Sequence, residues 1–127
     1  MNRKEIGQEI RRNIIDNDKE LIIDAYKKLR KSVIEFYLND IGLQGNYPNL
    51  SYKHISNEGI SFTYKERSLV IMLKESSYKI IVSKIEPDQE TVLDEITAKD
   101  NELSCFDGKF QIEEIDEYLS KAFREIL

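Results

Sequence analysis

Residues 50–85 read LSYKHISNEGISFTYKERSLVIMLKESSYKIIVSKI, four short runs of alternating apolar and polar residues separated by three turn-forming clusters. Side chains alternate faces along a strand, so a period of two marks a strand buried on one side. A three-residue loop at Asn57-Glu58-Gly59, with Gly59 as its left-handed residue, pairs Ser56 with Ile60, His54 with Phe62, Tyr52 with Tyr64 and Leu50 with Glu66. A two-residue loop at Glu66-Arg67 then sets Tyr64 against Leu69, Phe62 against Ile71 and Ile60 against Leu73. A third loop at Ser76-Ser77 sets Leu73 against Ile80 and Ile71 against Val82.

This register gathers Leu50, Tyr52, His54, Ile60, Phe62, Tyr64, Leu69, Ile71, Leu73, Ile80 and Val82 on one face. The other face takes Lys53, Ser61, Thr63, Lys65, Lys74, Lys79 and Ser83, with Ile55, Val70, Met72, Ile81 and Ile85 among them. Four runs that agree on one apolar face predict an antiparallel meander. A slip of one residue at either later turn would invert every strand beyond it.

Upstream, Asn2 and Glu5 have the spacing of a helix-capping pair. Apolar residues then recur with helical spacing from Ile6 through Ile10, Ile14, Ile15, Leu21, Ile22, Ala25, Tyr26, Leu29 and Val33 to Phe36 and Tyr37. An unbroken helix over residues 3–38 would run about 54 Å at ~1.5 Å per residue, whereas a six-residue strand covers only about 20 Å. The helix therefore either breaks at Asp16-Asn17-Asp18, where Asn17 and Glu20 repeat the capping spacing, or overhangs the sheet. In the second case Ile6, Ile10 and Ile14 need a cover, and a second copy of the chain, forming a homodimer, is the expected one.

Gly42, Gly45 and Pro48 mark the loop into the sheet. Beyond it, Glu86-Pro87-Asp88-Gln89 is a turn, residues 91–98 read as a fifth strand, and Asp107-Gly108 closes a short hairpin. Residues 112–126 carry a helical stripe of Ile112, Ile115, Tyr118, Leu119, Ala122, Phe123 and Ile126. The expected architecture is one α+β domain over residues 1–127: a long N-terminal helix, kinked or continuous, a meander of four to six strands, and a C-terminal amphipathic helix on the sheet.

Composition sets bounds on chemistry. The 127 residues carry a net charge of −5, one His, one Cys and no Trp. Abundant Ile, Lys, Glu and Asn fit an AT-rich bacterial or phage genome. No apolar run approaches a membrane span or a signal peptide, so a cytoplasmic location with no membrane partner is expected. His54 and Cys105 fall short of a metal-ligand set, and no Gly-rich phosphate loop or Ser/Cys–His pairing occurs. Neither a catalytic residue nor a metal nor a cofactor is therefore expected. His54 reads as a packed residue among Tyr52, Phe62 and Tyr64, and Cys105 as a buried thiol.

Charge is segregated along the chain. Residues 1–31 hold nine Lys/Arg against six Asp/Glu, and residues 86–127 hold four against thirteen. The acidic third, with Asp94, Glu95, Glu113, Glu114, Asp116 and Glu117, is the candidate surface for a basic protein partner. Interleaved acids among the N-terminal lysines and arginines argue against direct nucleic-acid binding. The expected function is a non-enzymatic protein-interaction module, such as a small inhibitor or immunity-type protein. The alternative is a small-molecule-binding or enzymatic domain with a cavity between sheet and helices, lined by His54, Tyr52 and Tyr64.

Overall fold

The computed structural model describes residues 1–14, 16–56 and 58–127, with the backbone alone at Ile14. The Ile15 position in the helical stripe and the Asn57 position in the first turn lie outside the described residues, as does the Ile14 side chain. The fold is α+β: helices α1 (Arg3–Ile14) and α2 (Asn17–Glu35), a π-helical segment (Phe36–Ile41), seven strands, helix α3 (Glu114–Phe123) and a 3-10 turn (Arg124–Ile126).

Strands β1 (Leu50–Ile55), β2 (Gly59–Tyr64), β3 (Arg67–Lys74), β4 (Lys79–Glu86), β5 (Gln89–Lys99), β6 (Glu102–Cys105) and β7 (Gly108–Lys109) form one antiparallel sheet in chain order. The fifth strand is longer than the residues 91–98 read for it, and the last is two residues.

The faces follow the predicted alternation, although two of the three registers differ. Ile71 faces Val82 and Leu73 faces Ile80 as expected, across a loop of four residues rather than two. In the first hairpin His54 faces Ile60, Tyr52 faces Phe62 and Leu50 faces Tyr64. In the second, Phe62 faces Leu69 and Ile60 faces Ile71. Each departure is a shift of two positions, which leaves every side chain on its expected side.

The first shift takes the glycine out of the turn. The left-handed turn residue is Ser56 (φ 56°), not Gly59. Gly59 sits in β2 opposite Met72, where an added Cβ would come within 2.2 Å of the Met72 sulfur. The room left by the missing side chain is filled by Met72, and the glycine does not serve the turn. In the second hairpin Lys65 (φ 56°) takes the left-handed position, and the loop is Lys65-Glu66.

Helices α2 and α3 lie on one face of the sheet. Ile22, Ala25, Tyr26, Leu29 and Val33 of α2 and Ile115, Tyr118, Ala122 and Phe123 of α3 are buried with Ile60, Phe62, Leu69, Ile71, Leu73, Ile80, Val82 and Ile96. The N-terminal helix is broken. Asp16, not Asn17, caps α2 by accepting the Lys19 amide at 2.9 Å, and Asn2 caps α1 by accepting the Glu5 amide at 2.9 Å. The break does not fold α1 back onto the core: every described side chain of α1 is exposed, Ile6 at 45% and Ile10 at 55%. Arg11 reaches across the break to hold Glu20 of α2 with two bonds, the longer at 2.8 Å.

Candidate functional site

The acidic residues do not form one surface. Asp94 is a correction to the sequence reading, because it is 3% exposed and faces the core. A bulge between the Val82 and Ser83 pairings leaves Leu93 extra, so Asp94 pairs with Val82 and shares the inner side with Ile96. Burial of its carboxylate is compensated by three donors. Oδ1 accepts the amides of Glu95 (2.9 Å) and Phe106 (2.8 Å), and Oδ2 accepts the Tyr118 hydroxyl. Burial and the neighbouring carboxylate push the Tyr118 hydroxyl far above the ordinary tyrosine range. Asp94 is thus a pin joining β5, the β6–β7 turn and α3.

Glu95 lies on the opposite side of the sheet, beside Ile81, where Lys79 pairs with it at 3.0 Å. Glu113, Asp116 and Glu117 are exposed at the start of α3 and Glu114 is half-buried there. The expected acidic patch is therefore reduced to the head of α3.

His54 is also corrected. It lies on β1, one of the two edge strands, and is exposed, with its ring against Tyr52 at 6.2 Å. An edge position beyond the helices leaves no cover for it. Cys105 is half-buried beside the Asp94 pin, and burial pushes its thiol up. The described residues bring no three His, Cys, Asp or Glu side chains together as a metal site requires. No helix among them is long and apolar enough to cross a membrane.

Two apolar features remain. The first is the sheet face turned away from α2 and α3. Ile55, Val70, Met72, Ile81 and Ile85 are half-buried there, and Val92, placed outward ahead of the bulge, is 50% exposed. Rows run straight across the strands: Ser61, Val70, Ser83 and Val92 in one, and Gly59, Met72, Ile81 and Glu95 in the next. Lys53 and Lys74 are exposed at the margins of this face.

The second is a groove of about 540 Å³ between the π-helical segment and the C-terminal half of α3. Leu50, Phe62 and Tyr64 of the sheet form its floor, Phe36, Ile41 and Leu43 one wall, and Leu119, Phe123 and Leu127 the other, with Ser120 and Arg124 at the rim. Edge-on aromatic contacts set the floor: Phe62 lies 5.4 Å from Phe36 and 5.3 Å from Phe123, and Tyr37 packs on Tyr52 at 5.0 Å.

The π geometry matters here. Its hydrogen bonds join residues five apart, as in the bond from the Gly42 amide to the Tyr37 carbonyl at 3.3 Å, so Phe36 and Ile41 share a side. Of the three residues expected to line a cavity, only Tyr64 borders this groove. The missed signal is that apolar residues continue at Leu38, Ile41 and Leu43, past Tyr37, where the helical stripe read from the sequence ends. The chain matches no family model, no curated protein and no solved structure.

Proposed function

We propose that this chain is a non-enzymatic protein-interaction module, of the kind used by small inhibitor or immunity-type proteins, and that it docks through the face of the sheet turned away from its helices. The observation that carries the reading is the cluster of Val70, Met72, Ile81 and Ile85, left without a helix over it among the described residues. Half-buried apolar side chains gathered on one surface favour association over solvation. Exposed Lys53 and Lys74 at the margins suit a partner with an apolar centre and carboxylates at its edge. The same reasoning extends to α1, whose Ile6 and Ile10 would be covered by α1 of a second copy in a homodimer.

One experiment tests both surfaces. Wild type, Val70→Glu with Met72→Glu, and Ile6→Asp with Ile10→Asp are compared by affinity capture from native extract and by light scattering. The sheet-face variant should lose a stoichiometric partner while keeping a native circular-dichroism spectrum. The α1 variant should be a folded monomer beside a dimeric wild type. Capture unaffected by the sheet-face charges refutes the docking face, and a monomeric wild type at high concentration refutes the pairing of α1.

A further inference from the structure

We infer that the groove between the π-helical segment and α3 is a binding site for a small anionic amphiphile, a single unbranched aliphatic chain ending in one acidic group. The site lies on the helix-covered side of the sheet and shares no lining residue with the opposite face.

Three observations define the ligand class. The volume, about 540 Å³, falls within the roughly 300–1,000 Å³ of small-molecule sites. The walls are aliphatic and aromatic, and apart from Tyr64 on the floor the polar side chains are Arg124 and Ser120, on successive turns of the same helical stripe. Arg124 is exposed, is the one charged side chain lining the groove, and makes no ion pair among the described residues. A polar metabolite would lose its hydrogen bonds to water against such walls without replacing them. A nucleotide would need several cationic or amide donors at its phosphates, and the lining offers one.

The site is also built rather than incidental. An α-helical turn would point Phe36 and Ile41 in different directions, and the wider π turn aims both into the groove. π turns are rare and concentrate where a fold supports a site. Gly42 ends the segment in the left-handed region (φ 62°) and turns the chain so that Leu43 closes the same wall. The aliphatic chain would lie over Phe62 and Leu50, with its acidic head accepting hydrogen bonds from the Arg124 guanidinium.

Calorimetric titration of the full chain with decanoate, decanol and decyltrimethylammonium, each below its micelle concentration, tests the site. Decanoate should bind one per chain, about tenfold more tightly than the cationic amphiphile, as one exposed charge-assisted contact predicts. Arg124→Gln should erase that preference while leaving decanol affinity unchanged. Leu119→Trp should fill the groove and abolish binding of all three, and Ile41→Trp serves the same purpose from the opposite wall if the first variant misfolds. No decanoate binding, a preference that survives Arg124→Gln, or full binding by a folded tryptophan variant each overturns the inference. So does saturable binding of a synthetic peptide of residues 1–16 in place of decanoate, which would assign the groove to α1 of a second copy.

Discussion

Both faces of the sheet carry branched apolar side chains on their central strands, yet among the described residues helices cover only one of them. On the covered face large side chains meet across the central strands: Ile60, Ile71 and Val82 in one row, which ends at the pinned Asp94, and Leu73, Ile80 and Ile96 in the next. On the other face each large residue has a small or charged neighbour. Val70 stands between Ser61 and Ser83, and Met72 lies over Gly59. Continuous rows give a helix something to bury along its whole length. Interrupted rows give a shallower surface with less for a helix to bury. Alternation assigns a residue to a face, and its neighbours across the strands decide whether that face becomes core.

The contrast predicts its own largest effect. Phe62→Ala removes a ring that contacts Phe36, Tyr37 and Phe123 and should cost about 3–5 kcal/mol. Met72→Ala on the other face should cost less than about 1 kcal/mol, since surface truncations away from a packed core rarely exceed that. Equal denaturant midpoints for the two variants would mean that the faces are not distinguished by packing.

A smaller effect tests the pin on the covered side. Tyr118→Phe leaves Asp94 Oδ2 buried without its donor and should cost about 1–3 kcal/mol. Because the native hydroxyl titrates far above the ~10 of an unfolded tyrosine, its contribution is complete below about pH 10 and is lost as pH rises beyond it. Wild-type stability should therefore fall above that pH by about 1.4 kcal/mol per unit for this group. Tyr26, its hydroxyl also raised by burial, adds in the same direction. Denaturation series at pH 9 and 11 should show a shallower loss in the Tyr118→Phe variant, and parallel losses would show that Tyr118 is not the group responsible.

The smallest effect separates the outer surfaces of the two sides. Reversing Glu113, Asp116 and Glu117 to Lys should slow association with a basic partner several-fold at low salt without altering the fold. Exposed charges steer encounter and are screened over about 10 Å at 0.1 M. Reversing Lys53 and Lys74 to Glu should instead slow association with the acidic-edged partner proposed for the sheet face. Stopped-flow rates for both variants decide which side meets the partner, and rates unmoved by salt and by either reversal leave both charge sets as plain solvation.

The sheet was legible because strand pairing errors came in steps of two, and parity survives such steps. Residues that serve two demands were harder to read. Gly59 looks like a turn glycine, but the space it leaves is taken by Met72, thirteen residues later. Asp94 looks like one more surface acid, and only the bulge beside Val82 together with donors from Phe106 and Tyr118 makes it a core residue. The capping pattern located the helix break to within one residue, because a cap is a local interaction. The groove was not legible, since it depends on where the π turn and α3 meet across the sheet.

The strand order, β1 to β7 without a crossover, has a consequence for how the chain reaches this structure. Each strand pairs with the one made just before it, so the sheet can zip up hairpin by hairpin with only short loops to close. The long closures are made by the helices alone. Helix α2 must find β5 and α3 must return to β3, which lies some forty residues behind it. Without the helices both faces of the meander would be bare, so their docking is what separates core from surface.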